Sequence, residues 1–311
     1  MALTDALING LIIGSVYALF AASFTIIFGV MDIPNMAHAA LFAGGAYVYY
    51  QLAGIMGLHW TIGILGAVVG IVAVGAVMEL TLLKPLYGRS ESEYIFGVIL
   101  ITLGAARILE EAFGSIWSRA PLSVTIAELQ GAGKSIPIFG IPVSYLQVVV
   151  IAVAVLNFVF LYWLINYTSI GRSIRAVVQD RELAYMKGID VDRLFLLAFL
   201  LGSGMIAVAG VLNAALFTLE PSMGFGLLIK AFIIVILGGF GNILGAAAAG
   251  FGLGLYEAIA VQQLESYYIF ASEFLLLIVF FLAKALLSTE RASPVIVQLR
   301  ARVSDWRSSD E

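Results

Sequence analysis

Several kinds of residue are scarce in this sequence, and each shortage argues against a class of protein. The 311 residues include no cysteine, 2 histidines and 7 prolines, and 12% are charged. Soluble domains carry about 25% charged residues, so a soluble domain does not fit. With no cysteine and two distant histidines the chain lacks a convergent set of ligands or nucleophiles, which argues against a membrane-embedded enzyme. No metal, cofactor or nucleic-acid partner is expected, and the small formal net charge of −4 says little about partners.

The chain is instead rich in long apolar runs, and 62% of its residues are hydrophobic. A helix needs about 20 apolar residues to cross a hydrocarbon core about 30 Å thick. The runs have that length and lack the alternation of barrel strands, so helices are predicted. The opening "MALTDALINGLIIG" has no basic n-region and is interpreted as a span, not a removable signal. The candidate spans are 7–29, 38–56, 60–83, 94–114, 144–166, 193–217, 226–241, 243–262 and 270–287.

This pattern predicts an all-α polytopic membrane protein with about eight or nine transmembrane helices. The count depends on "LGGFGN" (237–242), which suits either two short helices or one broken hairpin. Residues 1–287 are predicted to form the transmembrane domain and 288–311 a short polar tail. The segment 115–143 combines alternation with turn residues, which predicts a small hairpin.

The positions of the basic residues predict the orientation. Of the 16 Lys and Arg residues, 12 lie in the loop 84–93, the loop 167–192 with Arg193 at its edge, and the chain from Lys284 onward. With nine spans these three segments share one side, which is therefore the cytoplasm. The N-terminus and the hairpin segment 115–143 are predicted outside, and the tail 288–311 is predicted to be cytoplasmic.

The motif "GAGKS" (131–135) resembles part of a phosphate-binding loop, which requires G-x-x-x-x-G-K-[ST]. The position of the first glycine is occupied by Glu128, whose carboxylate would repel phosphate. Pro137 and Pro142 prevent the helix that should follow. We therefore interpret this motif as a turn.

Small residues recur at every fourth position in several spans, a pattern that lets helix backbones approach closely. Gly10 and Gly14 begin such a ridge in the first span, followed by Ala18 and Ala22. Further ridges are Gly241, Gly245 and Ala249, and Ala246, Gly250 and Gly254. The pattern indicates a tightly packed bundle, without indicating what the bundle carries.

Ionisable residues also occur inside the predicted spans, where they must face protein or water. Arg107 is placed to pair with Glu110 or Glu111. A proton relay and a set of structural pairs with end-anchoring groups both remain open for this set, which comprises Glu79, Arg107, Glu110, Glu111, Lys230, Glu257 and Glu273.

The segment "MDIPNMAHAALFAGGAY" (31–47) predicts a kinked junction after the first span. Pro34 breaks the helix, Asn35 is placed to cap the next one, and His38 lies in its first turn. His38 and His59 are predicted on opposite faces of the membrane, so a shared metal site is not expected. His38 is interpreted as a hydrogen-bonding group of the junction.

The stretch "GRSIRAVVQDRELAYMKGID" (171–190) interrupts the apolar chain with a charged segment. Asp180 is a good N-cap and Gly188 is suited to end a helix, so residues 181–187 are predicted to be helical. A helix that short is unstable alone. Leu183 and Met186 share one face, which indicates packing against something, although an ordinary charged loop remains an alternative.

Three blocks together resemble the integral-membrane permeases of branched-chain amino acid ABC importers, a family shared with urea and amide importers. The blocks are "NGLIIGSVYALFAASFTIIFGVMDIPNMAHAALFAGGAY" (9–47), "GRSIRAVVQDRELAYMKGIDVDRLFLLAFLLGSGMIAVAGVL" (171–212) and "KAFIIVILGGFGNILGAAAAGFGLG" (230–254). Ala39 replaces a usual glycine, Asn242 a usual serine, and "FLAKALLSTERASP" (281–294) the usual ending. These departures bear on the substrate more than on the class.

The resemblance implies a compact fold like that of the vitamin-importer permeases, in the cytoplasmic membrane of a bacterium or archaeon. It also implies a second permease subunit, two cytoplasmic ABC ATPase subunits, an external solute-binding protein and surrounding lipid. The loop 167–192 would contain the coupling helix, with the coupling residues Asp180, Leu183, Ala184, Met186 and Gly188. Asn35 and His38 would belong to the translocation pathway or its junction.

The sequence therefore predicts a permease subunit that performs no chemistry itself and alternates its access as the ATPases close. The solutes expected are branched-chain amino acids or related small polar molecules. The alternative is an ion-coupled carrier with broken helices near the midplane, which needs no ATPase.

Overall fold

A computed structural model describes residues 2–126, 128–131, 133–138, 140–265 and 267–285. The chain divides into two compact units, Met1–Gln263 and Leu264–Glu311. In the second unit the described structure is one helix, Tyr267–Ala285. The predicted tail 288–311 lies outside the described residues.

The described residues are largely helical. Two π-helical segments, Tyr50–Ile55 and Glu79–Leu83, each continue a preceding α-helix, and a short 3₁₀ turn follows at Lys84–Leu86. The α-helices are α1 Ala2–Met31, α2 His38–Tyr49, α3 Trp60–Met78, α4 Glu91–Ile116, α5 Tyr145–Tyr167, α6 Ser169–Gln179, α7 Arg181–Met186, α8 Val191–Leu216, α9 Met223–Gly238, α10 Ile243–Ala260 and α11 Tyr267–Ala285.

Each predicted span is helical over most of its length, which confirms the helical membrane class. Six helical segments within the described residues are long and apolar enough to cross a membrane: Thr4–Met31, Trp60–Leu86, Tyr145–Tyr167, Val191–Leu216, Ile243–Ala260 and Tyr267–Ala285. Local caps explain where several begin. Ser144 and Gln147 form a capping box at the start of α5, and Ser90 and Glu93 form another at the start of α4.

The ambiguous segment around 237–242 forms a tight turn between two separate helices, α9 and α10. Gly239 and Gly241 both have positive φ, 91° and 73°, which is why glycine suits this turn. The Asn242 side chain accepts a hydrogen bond from the N–H of Gly245 at 3.0 Å and caps α10. Gly241 was predicted to belong to a helical ridge, and that prediction is wrong because the residue lies in the turn. Gly245 does lie in α10, where its backbone touches that of Gly238 in α9.

The core of the first unit lies among α1, α2 and α8, whose side chains are buried along most of their length. α1 packs along α10 with almost no space between the backbones. A methyl group placed on Gly254 would overlap the backbone of Gly14, and one placed on Gly10 would lie 2.8 Å from the Cα of Leu255. Glycine on both helices is therefore what lets α1 and α10 touch.

A short antiparallel hairpin lies at the end of the segment 115–143 and extends to Ser144. Its strands are β1, Ser135–Ile138, and β2, Ile141–Ser144, with Ser135 paired to Ser144. The "GAGKS" segment leads into β1, and Gly131 and Gly133 have positive φ. A strand therefore follows this motif, where a phosphate-binding loop would need a helix.

Candidate functional site

The helix α7 is a short element with a complete cap at each end. At its start, the Asp180 side chain accepts a hydrogen bond from the N–H of Leu183 at 2.9 Å. At its end, Gly188 has φ +81° and donates to Tyr185 O, while Ile189 donates to Ala184 O. This pair of bonds is the Schellman pattern of helix termination. The helix covers Arg181–Met186, one residue shorter than predicted.

One face of α7 is exposed and the opposite face is packed against the chain. Leu183, Tyr185 and Met186 have 48%, 73% and 74% of their surface exposed, whereas Ala184 has 3%. Ala184 was grouped with the predicted coupling residues, but its side chain packs inside this chain and supports the helix. Tyr185 was not among the predicted coupling residues, although its position in the chain, between Ala184 and Met186, could have indicated it. The result is a small projecting surface of large side chains.

The amphipathic helix α6 positions α7. Its start is tied to the end of α5, since Thr168 accepts a hydrogen bond from the N–H of Gly171 at 3.1 Å and Arg175 donates to the carbonyl of Ile165. A methyl group on Gly171 would overlap the carbonyls of Leu164 and Ile165, so this corner requires glycine. α6 ends at Gln179, one residue before the cap of α7.

Two cavities lie beside α7, and Arg181 and Glu182 line both. One cavity, about 630 Å³, lies among the end of α1, the start of α4, α6 and the α9–α10 turn. The other, about 770 Å³, is lined by the loop 87–89, α4, α7 and the start of α8. Tyr87, in the second cavity, donates a hydrogen bond to Glu79 Oε1 at 2.9 Å. Burial and the nearby Glu79 carboxylate raise the pKa of the Tyr87 hydroxyl, so it keeps its proton and remains a donor.

Asn35 and His38, at the junction between α1 and α2, are fully buried. His38 Nε2 lies 2.8 Å from Ser23 Oγ of α1, and the ring packs edge-on against Phe20. Asn35 was predicted to cap α2, and this prediction is wrong. Its Oδ1 accepts from the N–H of Ala37 at 3.0 Å, closing a turn one residue before the helix begins. Neither of the two cavities beside α7 is lined by Asn35 or His38. The structure therefore brings His38 to Ser23 and not to a cavity of the α7 region.

Several ionisable residues of the spans form pairs. Lys230 of α9 and Glu257 of α10 are 2.6 Å apart, with 13% and 16% of their side chains exposed. The Tyr17 hydroxyl of α1 donates to the same Glu257 oxygen at 2.5 Å, and Lys230 Nζ donates to Tyr17 at 2.8 Å. One polar cluster thus joins three helices.

The other pairs are more exposed. Arg107 pairs with Glu110 at 2.7 Å, as its spacing predicted, and Glu111 pairs with Arg119 at 2.6 Å. Among the described residues no group of three or more His, Asp or Glu side chains is arranged to hold a metal ion.

Comparison with known proteins places these features in a family. Residues 6–284 match the family described as branched-chain amino acid transport system / permease component. The high-affinity branched-chain amino acid transport system permease protein LivH of Salmonella typhimurium is 30% identical, over 87% of this chain and 90% of that protein. The high-affinity branched-chain amino acid transport system permease protein BraD of Pseudomonas aeruginosa is 28% identical, over 84% of this chain and 87% of that protein. The solved structure of PsaBC from Streptococcus pneumoniae in complex with Fab matches 91% of this chain and 90% of that one, with 14% identity and a TM-score of 0.46.

Proposed function

This chain belongs to the family of branched-chain amino acid transport permeases, and we propose that it is the membrane permease subunit of an ATP-driven importer. The proposed solutes are branched-chain amino acids or related small polar molecules. The observation that carries the proposal is α7, which has both ends capped and three large side chains projecting from the chain. The segment that contains α7 lies within the family match.

The proposed role of α7 is to dock on a cytoplasmic ABC ATPase subunit. Leu183, Tyr185 and Met186 form the contact surface, because their apolar area lies outside the protein core. Asp180 and Gly188 hold the shape of the helix, and the buried Ala184 packs it against the rest of the chain. The permease performs no hydrolysis, and it opens to one side or the other as the ATPases close. Asn35 and His38 are proposed to brace the junction of the pathway.

The proposed assembly contains a second permease subunit, two ATPases and an external solute-binding protein, in the cytoplasmic membrane. The N-terminus is outside, and 167–192 is inside. Since the chain has no native cysteine, single cysteines test this orientation. An impermeant thiol reagent applied to intact cells is expected to label Ser135→Cys and to leave Ser173→Cys unlabelled. Labelling of Ser173→Cys alone would reverse the orientation.

The ion-coupled carrier is the weaker candidate. Such a carrier needs ionisable groups that change partners during transport. Lys230 and Glu257 are bonded to each other and to Tyr17, and Arg107 is bonded to Glu110. These pairs favour structural roles, so we propose the ATP-driven importer.

The docking role is tested by Leu183→Asp combined with Met186→Asp. Burying each side chain in a contact contributes about 1.5–3 kcal/mol. Docking should therefore weaken at least about 100-fold, since tenfold in affinity is about 1.4 kcal/mol. The variant should reach the membrane normally and lose ATPase recovery and leucine uptake together.

A matched control is Ile136→Asp combined with Ile138→Asp, which adds the same charges to exposed residues of the hairpin. This control should recover the ATPase like the parent protein. Equal recovery with the α7 variant and the control would show that α7 is not the docking element.

A further inference from the structure

Arg181, the first residue of α7, reaches away from the exposed face into the body of the protein. Its Nη2 donates a hydrogen bond to the backbone carbonyl of Met31, at 3.1 Å. Met31 is the last residue of α1, and Asp32 then leaves the helix with φ +60°. The last carbonyls of a helix have no donor within it, and a positive charge there is favourable. Arg181 thus completes the end of a helix 150 residues earlier in the chain.

The same guanidinium contacts two further helices. It lies 4.9 Å from the ring centroid of Phe195 in α8 and 6.0 Å from that of Tyr94 in α4. Tyr87 packs edge-on against Phe195 at 5.0 Å and so closes one side of this group of rings. A planar guanidinium can stack on rings and donate hydrogen bonds at the same time. One side chain of α7 therefore touches α1, α4 and α8.

α7 is also packed against the chain through the buried Ala184. The bonds of Asp180 and Gly188 lie within the α7 segment itself, so they hold the shape of the helix and do not tie it to the bundle. Cavities of about 630 and 770 Å³ lie on either side, and Arg181 lines both. Because Arg181 joins α7 to the end of α1, a displacement of α7 would reach α1 through this side chain.

The end of α1 is well placed to receive such a displacement. Phe28 of α1 packs against Phe240 of the α9–α10 turn, with ring centroids 5.1 Å apart. Phe24, one turn earlier, packs against Phe232 of α9 at 5.0 Å. Movement of Met31 would therefore shift α1 against α9 and the turn that follows it.

We infer that Arg181 is a positioning residue for transport, which links displacement of α7 to the end of α1. The inference rests on the proposed function, since it requires that an ATPase moves α7. Arg181 acts inside the permease, whereas Leu183, Tyr185 and Met186 act at the contact with the ATPase. Loss of Arg181 should therefore uncouple hydrolysis from transport without releasing the ATPase.

The test uses the permease with its ATPase and solute-binding partners in proteoliposomes, with radiolabelled leucine as the probe. Arg181→Met keeps a long apolar stem and removes the charge and all donors. ATPase recovery and ATP hydrolysis should stay within about twofold of the parent protein, the scale of an ordinary surface change. Leucine taken up per ATP hydrolysed should fall at least about tenfold, within the range typical of coupling between sites. Arg181→Lys keeps the charge without the planar fork, and its leucine uptake per ATP hydrolysed should fall about threefold.

Arg193→Met is the matched control, because Arg193 is exposed and pairs with Asp190 one turn away. Its uptake per ATP should equal that of the parent protein. An unchanged ratio in Arg181→Met overturns the inference, and so does loss of ATPase recovery, which would make Arg181 part of the docking contact. If Arg181→Met does not reach the membrane, the test is the leucine uptake per ATP hydrolysed of Arg181→Lys, and an unchanged value there overturns the inference. A parent protein that recovers no ATPase or takes up no leucine would count against the proposed function instead.

Discussion

The two halves of α1 make different kinds of contact with the rest of the protein. The first half lies against α10 with backbones almost touching, because Gly10 and Gly14 face Leu255 and Gly254. Its last residue, Met31, is reached by the side chain of Arg181 beside cavities of about 630 and 770 Å³. The first contact has no room to change. The second region packs through Phe24 and Phe28 and adds a hydrogen bond from a single side chain, and that bond can be altered without repacking the core.

This difference separates a fixed part of the permease from a part suited to movement. Close-packed helices transmit force as a unit, because interiors packed at crystal-like density do not deform continuously. A polar link beside open space can lengthen, rotate or break locally. The predictions below test whether the two regions respond as differently as their construction indicates.

The largest effect is expected for Gly254→Leu. The new side chain would start where the backbone of Gly14 lies, so α1 and α10 must separate. We expect destabilisation at or above the upper end of the usual overpacking range, about 3 kcal/mol, with loss of monodisperse protein after detergent extraction. Gly14→Leu, which meets Phe251 of α10, should act in the same direction.

Gly252→Leu is the control for that experiment, since it lies on the same helix and a methyl group there meets nothing within 4 Å. It should extract and melt like the parent protein. Equal behaviour of the two α10 variants would show that the α1–α10 contact is not close-packed in the membrane.

A smaller loss is expected for Lys230→Met, which breaks the polar cluster in the middle of α1. Glu257 and Tyr17 would keep a buried negative charge without its ammonium partner. Breaking a fully buried pair costs about 3–5 kcal/mol, and partial exposure here reduces the expectation to about 2 kcal/mol. The thermal midpoint in detergent measures it.

The double variant Lys230→Met with Glu257→Met removes both charges and should recover most of that loss. Recovery would identify the cluster as a structural pair, in line with the fixed part of the permease. A double variant that is fully stable yet does not transport leucine would instead assign the pair a role in transport.

A moderate effect is expected for Asp180→Ala, which removes the cap of α7. Losing such a cap costs about 1 kcal/mol, so ATPase recovery should fall about fivefold. Asp190→Ala is the matched control, because Asp190 caps α8 through the N–H of Arg193 at 3.1 Å. α8 has 26 residues and a buried core face, and it should tolerate that loss. A fall of similar size in both variants would mean that α7 is no more sensitive than a core helix.

The smallest effect is expected for Lys134→Ala, outside both regions. The "GAGKS" motif precedes a strand, so it has no helix to place against a phosphate. Leucine uptake should stay within about twofold of the parent protein. Loss of uptake together with lost ATP binding by the isolated permease would show that this segment binds nucleotide.

Much of the local structure could be predicted from the sequence, because its causes lie within a few residues. Long apolar runs predict the helices, since lipid leaves backbone groups no other partner. Asp180 and Gly188 predict both ends of α7 to within one residue. The pairing of Arg107 with Glu110 follows from their spacing along one helix.

Contacts between distant residues were not predictable in the same way. Gly241 fits a helical ridge by its spacing, yet two positive φ values place it in a turn. Asn35 has the chemistry of a cap, but it bonds Ala37 before the helix begins. In each case several local structures suit the residue, and packing against other helices selects one.

By itself, then, the sequence determined the membrane class, the positions of the helices and, to within one residue, the short capped helix that follows Asp180. Each of these follows from hydrophobicity and from backbone hydrogen bonds made within a few residues. Only the tertiary structure decided that Gly254 touches Gly14 and that Arg181 reaches the carbonyl of Met31. Those contacts depend on how whole helices cross, and a backbone carbonyl leaves no mark in the sequence to identify its partner.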